Sequence, residues 1–407
     1  MHCFKCIAVV TLCLTLAGCG TLPWPLFKKT DDTLYLQPSS FDRIQNWSTD
    51  NQSEAIAPLQ KSCALILKKD PAAEMGVDGF AGTAGQWQEV CNKLSTYLLP
   101  TDNDARQFFQ DNFIPYEVRG ARGREGLFTG YYEPTLHGSR GKHGKFRIPI
   151  YGRPHDLISV SLGDFKPLLK GETIMGRVQD KKLVPYYKRA EIEKGALKKQ
   201  RREIAWVDNA VDAFFLHIQG SGQIVLDNHR TLHVGYAAEN GQPYMAIGQE
   251  LIRRGALTKD NVSMQSIREW LEQHPEDASD VMNLNTSYIF FSKLADQEGP
   301  LGAEGVPLTP RRSIAVDRKK IPYGVPLWLE AEEPDNDGCL QLLMIAQDTG
   351  GAITGSVRGD FFWGAGEEAE HKAGLMKSRG HSWLLLPKSV TVPKEKLYQP
   401  LWMSLQW

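Results

Sequence analysis

Leu342-Leu343-Met344-Ile345-Ala346-Gln347-Asp348-Thr349-Gly350-Gly351-Ala352-Ile353 is the most informative stretch of the chain. Its apolar run predicts a strand covered on both faces, ending in an acid and two glycines. Glycine lets a ligand come close to the backbone. Twelve residues after Asp348 stands Asp360, in Val357-Arg358-Gly359-Asp360-Phe361-Phe362-Trp363-Gly364. Aromatic neighbours of this kind desolvate an acid or stack on a sugar ring. A desolvated Asp has a raised pKa, keeps part of its proton at neutral pH and serves as a general acid. The plainer reading makes each Asp a turn or cap residue bonded to its own backbone.

Around this stretch the C-terminal part reads as β: Arg312–Val316, Val325–Ala331, Leu340–Gln347 and Ser382–Leu386, whose spacing fits a small closed barrel. Residues 298–312, rich in Gly and Pro, form a connector before it. Upstream, Leu127–Pro134 reads as a strand ending at proline. Phe146–Tyr151, Val211–Gln219, Gln223–Leu226 and Thr231–Tyr236 are further short strands. Helical spacing marks Ser53–Leu99, Asp102–Phe113, a helix from Arg189, Tyr244–Arg254 and Ser263–Gln273. Residues 20–60 read as a polar tether. The fold class is therefore mainly β with helices (α+β). The 37 Gly and 23 Pro among 407 residues favour many turns and a β-rich body over a helical bundle. The 47 basic and 48 acidic residues balance, which argues against a nucleic-acid binder.

Residues 1–18 read as a secretory signal: Lys5, then an apolar run from Ile7 to Leu16 too short to span a bilayer. Leu16-Ala17-Gly18-Cys19 looks like a bacterial lipobox, which implies cleavage before Cys19 and a lipid on its sulfur; the alternative is a plain signal peptide. Gly20, not Asp, follows Cys19, the sorting pattern of a lipoprotein anchored in the outer membrane and facing the periplasm. Of the remaining cysteines, Cys63 and Cys91 either pair in an oxidising compartment or are two buried thiols, and Cys339 is left over at a strand start. No cysteine or histidine cluster has metal-site spacing; Glu367 and His371, one helical turn apart, lack further partners. His217 alternates with apolar neighbours and reads as a core residue.

Gly130-Tyr131-Tyr132-Glu133-Pro134, Ile218-Gln219-Gly220-Ser221-Gly222, Gly235-Tyr236 with Asn240-Gly241 and Tyr244, Ser313 to Asp317, and Asp348-Thr349-Gly350-Gly351-Ala352-Ile353 with Asp360 occur in this order. Together they resemble the membrane-bound lytic murein transglycosylase A family, from about Leu127 to Leu386. The resemblance implies a double-psi β-barrel domain interrupted by a smaller barrel-like β domain, with a groove between them for a glycan strand. Residues 19–133 would hold the tether and the helical start of domain 1, 134–294 the inserted domain 2, and 295–407 the rest of domain 1. Asp360 would be the catalytic acid and then base in a non-hydrolytic cleavage of the β-1,4 bond between N-acetylmuramic acid and N-acetylglucosamine, with Asp348 in support. Thr129, Tyr131, Tyr132, Gln219, Ser221, Asn240, Tyr244 and Trp363 are the candidate sugar-binding residues, each with a plain turn or core reading beside it. No cofactor is implied; the partners would be peptidoglycan strands and the synthase or divisome proteins of the cell wall. Some family members carry His-Phe before the acid, where this chain has Arg358-Gly359, which weakens any role for those two positions. A peptidoglycan-binding lipoprotein without catalysis, built on an expansin-like barrel, a hydrolytic muramidase and a passive envelope scaffold remain as alternatives.

Overall fold

The computed structural model describes residues 32–95, 101–121, 123–294, 299–335 and 338–399. The chain opens with β1 (Tyr35–Pro38), followed by three short 3-10 turns and the helices α1 (Ile56–Ile66), α2 (Ala84–Leu94) and α3 (Asp102–Asn112). β2 (Phe113–Arg119) and β3 (Gly126–Glu133) follow. The middle section holds β4 (Thr135–Ser139), β5 (Ile148–Tyr151), β6 (Ile158–Ser161), β7 (Thr173–Gln179), β8 (Lys182–Pro185), α4 (Arg189–Glu193) and β9 (Glu203–Val207). It continues with α5 (Ala210–Gln219), β10 (Ser221–Leu226), β11 (Thr231–Glu239), α6 (Ile247–Arg253), α7 (Met264–Gln273), α8 (Pro275–Leu284) and β12 (Ile289–Lys293). Last come β13 (Ser313–Val316), β14 (Pro326–Glu332), β15 (Cys339–Asp348), β16 (Arg358–Ala365), α9 (Glu367–Leu375) and β17 (Lys377–Pro387).

Six of these strands form a ring in the order β17-β14-β15-β13-β16-β3, and β3 pairs back onto β17, closing a barrel. β13 runs parallel to β15 and β16 parallel to β3; the other contacts of the ring are antiparallel. Its interior is apolar, with Phe128, Ile314, Leu327, Leu329, Leu342, Met344 and Phe361 all buried. β2 and β1 extend the sheet from β17. The middle section builds a second sheet, β12-β11-β10-β4-β9-β5, around Leu136, Ile150, Val207, Ile224 and Val234. A single bridge between Gly152 and Phe291 brings its two edges together, so this sheet too is barrel-like. A three-stranded arm, β6-β7-β8, projects from it.

Local sequence explains most element ends. Thr101 caps α3 by accepting from the Asp104 N–H, and Ser263 caps α7 by accepting from Ser266. Cys63 of α1 and Cys91 of α2 form a disulfide. Three expectations are corrected. Val211–Gln219 is helical, not a strand: Asn209 accepts from the N–H groups of Val211 and Asp212, and Gly220 stops the helix in a left-handed conformation at φ +80°. The alternation that suggested a strand is accidental, because Val211 through His217 is buried nearly all round except at Asp212. The tether ends by Asp32 and not at residue 60, since Leu34, Leu36, Ile44 and Trp47 belong to the main core and Trp47 packs on Trp328 at 5.1 Å. The helix expected from Tyr244 starts at Ile247, leaving Tyr244 exposed ahead of it.

One buried ion cluster ties that N-terminal segment to the barrel. Arg312, just before β13, donates to Asp50 at 2.8 and 2.9 Å and to Glu54 at 2.9 and 3.1 Å, and Asp50 also accepts from the Leu343 N–H at 2.9 Å. Removing one partner of a buried pair strands the other charge. Asp50→Ala is expected to cost about 3–5 kcal/mol of stability, read as a lower urea midpoint with an unchanged slope.

Candidate active site

Strand register brings the two acids of the sequence together. Ala315 on β13 is paired with Asp348 on β15 and with Asp360 on β16, and Asp360 is paired in turn with Thr129 on β3. Paired residues share a sheet face, so Asp348, Ala315, Asp360 and Thr129 form one row. At about 4.8 Å per strand the backbones of the two acids lie about 10 Å apart. Phe361 and Trp363 alternate with Asp360 and pack into the barrel with ring centroids 4.5 Å apart. Asp360 therefore lies on the outer face, beside a small apolar bed of Tyr131, Leu308, Ala315 and Phe362.

The two carboxyls are held differently. Thr129 Oγ1 donates to Asp360 Oδ1 at 2.5 Å. Arg358 Nη2 donates to that same Thr129 oxygen at 2.8 Å, and its Nη1 bonds the Gly359 carbonyl. A guanidinium has no acceptor, so it takes a lone pair of Thr129 and turns the hydroxyl proton toward Asp360. Among the described residues no donor reaches Asp360 Oδ2. Burial pushes the Asp360 carboxyl above the ordinary range, against the pull of Arg358 and Thr129. Asp348 has donors on both oxygens: Oδ1 accepts from the N–H groups of Ala303 at 2.8 Å and Thr349 at 2.9 Å, and Oδ2 accepts from Tyr131 at 3.0 Å. Burial nonetheless pushes it up to about 6, and the charge of Asp360 adds to the rise. Tyr244 reaches this region from the inserted sheet's side, where Asp360 acts on its hydroxyl.

Comparison with known proteins fits this geometry. Residues 127–292 match the model of the MltA-specific insert domain and residues 312–386 that of the 3D domain. Membrane-bound lytic murein transglycosylase A of Escherichia coli K12 is 31% identical over 392 residues, covering 94% of this chain and 95% of that protein. The chain belongs to the membrane-bound lytic murein transglycosylase A family. It is thus a peptidoglycan lytic transglycosylase, a lyase. Two solved structures agree closely in fold. The membrane-bound lytic murein transglycosylase of Agrobacterium tumefaciens has a TM-score of 0.76 at 31% identity, covering 87% of this chain and 98% of that one. MltA of Neisseria gonorrhoeae has 0.75 at 32%, covering 90% and 95%. Escherichia coli MltA, with a TM-score of 0.61 at 29% identity over 87% of this chain and 93% of that one, has been solved with bound chitohexaose.

Within this member of the family the candidate sugar-binding residues separate into two groups. Thr129, Tyr131 and Tyr244 gather at the acids. The others do not. Trp363 is buried on the opposite face of β16 from Asp360, where Gly130 admits it: a Cβ there would sit 2.7 Å from the indole nitrogen. Asn240 is fully buried, donating to the Tyr187 and Thr286 carbonyls at 2.8 and 2.9 Å and accepting from the Tyr288 N–H at 2.9 Å. Ser221 is buried at the start of β10. Gln219 accepts from the Tyr132 N–H at 3.1 Å, and Tyr132 is buried with its hydroxyl donating to Glu370 at 2.8 Å. Gln219 and Tyr132 link α5 to β3, while Asn240, Ser221 and Trp363 are buried within the fold around them. His217 is a core residue of α5, its ring 4.1 Å from Tyr288 and its pKa held well below the ordinary value by burial. Among the described residues no three His, Cys, Asp or Glu side chains cluster as metal ligands; His371 pairs with Asp335 at 3.2 Å. Cys19 lies outside the described residues.

Sequence reasoning missed Arg358 and Ala303. Arg358 falls where the family pattern differs, and the Ala303 contact is a backbone N–H that no side chain signals. Tyr323, on whose hydroxyl Asp348 acts, was equally unmarked. The Arg358 contact gives an expected outcome. Replacing Arg358 with Gln removes a positive charge that favours the Asp360 anion, so the Asp360 carboxyl should titrate at higher pH, while Arg358→Lys should restore part of the difference. Carboxyl-carbon NMR of the three proteins measures it; an unchanged titration would show that Arg358 does not act on Asp360.

Proposed function

We propose that Asp360 acts twice on a glycan strand held over the outer face of the barrel. Protonated on Oδ2, it gives its proton to the glycosidic oxygen as the β-1,4 bond from muramic acid C1 breaks. The C6 hydroxyl of the same sugar then forms a bond to C1 and loses its proton to the Asp360 carboxylate, which regenerates the acid. The products are a 1,6-anhydromuramyl end and a free N-acetylglucosamine hydroxyl. The observation that carries the reading is the one-sided hold on Asp360: Thr129 occupies Oδ1, burial raises the pKa, and Oδ2 is open for substrate. An intramolecular hydroxyl needs no second carboxylate to activate water and attacks at high effective molarity. The chitohexaose bound to Escherichia coli MltA supports a glycan strand as ligand.

A hydrolytic reading would need Asp348 as the base that activates water across the row. Its three donors argue against that, since they occupy both oxygens. Asp348 instead fixes Tyr131 and the connector at Ala303 beside Asp360. We further propose that residues 1–18 are removed and that lipid on Cys19 holds the enzyme at the periplasmic face of the outer membrane, where it would serve turnover and remodelling of the wall. Relatives carry "membrane-bound" in their names, and among the described residues no helix is long and apolar enough to cross a membrane. Cell-wall synthases or division proteins would then recruit it.

Two measurements test this. Digestion of sacculi followed by mass spectrometry should give anhydro ends, lighter by one water than the reducing ends of a hydrolase. Asp360→Asn should lower turnover by about 10²–10⁴-fold while glycan binding persists; full turnover in that variant would overturn the mechanism. Separately, Cys19→Ser should abolish incorporation of labelled fatty acid into the protein, read on a gel.

A further inference from the structure

The three-stranded arm has two unlike faces. Register pairs Val160 with Ile174, Ile158 with Gly176 and Val178 with Leu183, so Ile158, Val160, Ile174, Val178 and Leu183 lie on one face. The alternate residues face the inserted sheet: Met175 packs there and Arg177 lies over the Tyr187 ring. The first face is bare, with Val178 62% exposed. At the end of the arm two 3-10 turns, closed by the Leu162 N–H donating to the Glu172 carbonyl at 2.9 Å, hold out Phe165 and Leu168, 75% and 96% exposed. Lys166 and Lys170 flank these tip residues, against Asp164, and Lys181 and Lys182, beside Asp180, stand in the β7–β8 turn at the other end of the arm; Glu172 is engaged by Lys319 at 3.7 Å. Contiguous exposed apolar surface rimmed by charge marks an interaction site.

The arm's position says what meets it. Lys319 reaches Glu172 at the base of the tip, and the next residue, Lys320, acts electrostatically on Asp32, where the described fold begins. The chain before Asp32 thus enters the fold on the side where the arm's tip is rooted. Cys19 is thirteen residues earlier, and a fully extended chain of that length spans about 45 Å at most. Lipid on Cys19 would hold this side of the molecule close to a bilayer.

We propose that the arm is a second membrane contact: Phe165, Leu168 and the bare face of β6-β7-β8 dip into the lipid interface while the lysines meet anionic headgroups. This inference rests on the lipid anchor at Cys19 for its geometry, but the contact itself is measurable without the anchor. Buried apolar area and basic residues near anionic lipid add to whatever the lipid on Cys19 contributes. With two points of attachment the arm would also fix how the enzyme is oriented over the membrane.

The test uses the chain from residue 19 onward carrying Cys19→Ser, sedimented with vesicles of phosphatidylethanolamine and phosphatidylglycerol. Adding Phe165→Ser and Leu168→Ser should weaken binding about ten-fold or more, since two apolar side chains no longer leave water. Adding Lys166→Glu and Lys170→Glu instead should weaken it only on vesicles that contain phosphatidylglycerol. Both sets of changes are at exposed positions away from Asp360, so turnover of soluble glycan fragments should be unaltered, which separates failure of this inference from failure of the catalytic reading. The proposal is overturned if the Cys19→Ser chain does not sediment with vesicles, or if neither set of substitutions changes its binding. It is also overturned if the apolar substitutions abolish self-association in centrifugation instead, which would make the face a contact between two copies, or if Trp24 and Phe27 of the preceding segment cross-link to it without vesicles.

Discussion

Closure of the barrel through β3 is the constraint on which the rest depends. β3 pairs with β16 on one side and with β17 on the other, at the residues that include Thr129. That double pairing completes the ring and also delivers the hydroxyl that holds Asp360. Without it, β16 would be an edge strand, its carboxyl would meet water, and the burial that raises the Asp360 pKa would be gone. Fold closure and carboxyl tuning are one event here.

Burying two acids in one row is costly, and the structure offsets that cost unequally. Asp348 receives three hydrogen bonds and becomes part of the scaffold; Asp360 receives one, with a guanidinium standing behind the donor. An acid with a donor on each oxygen is a poorer donor or acceptor for substrate, whereas one anchored at a single oxygen keeps its other oxygen available. The difference arises from backbone placement: Asp348 ends its strand beside the connector's N–H groups, while Asp360 sits mid-strand where N–H groups are spent on the ladder.

Much of this was readable in the residues. The apolar run into Asp348, the strand ending at Pro134 and the C-terminal β pattern follow from periodicity and turn chemistry, which are local. What was not readable depends on contacts distant in sequence. Which face Trp363 occupies is set by register with β3 and β13. Asn240-Gly241 does turn the chain, with Gly241 at φ +69°, yet the Asn side chain is consumed by carbonyls about fifty residues away on either side. Residues 39–55 carry Ile44, Trp47 and Ala55 in or beside short 3-10 turns that have no helical or strand period. Val211–Gln219 misled because a helix buried nearly all round carries no amphipathic stripe. Arg358 looked like a departure from a pattern, and only its distance to Thr129 gives it a role.

The insertion between β3 and β13 carries a cost in time. Thr129 and Asp360 are 231 positions apart, so β3, the first of the ring's six strands, is synthesised long before the five that complete it. The inserted sheet, with its own apolar interior, can collapse early, whereas β3 must wait with its ladder groups unpaired. A nascent chain of this design passes through a stage in which one domain is finished and the other presents an open template. It is there, rather than in the completed molecule, that aggregation and the need for a holding chaperone are concentrated.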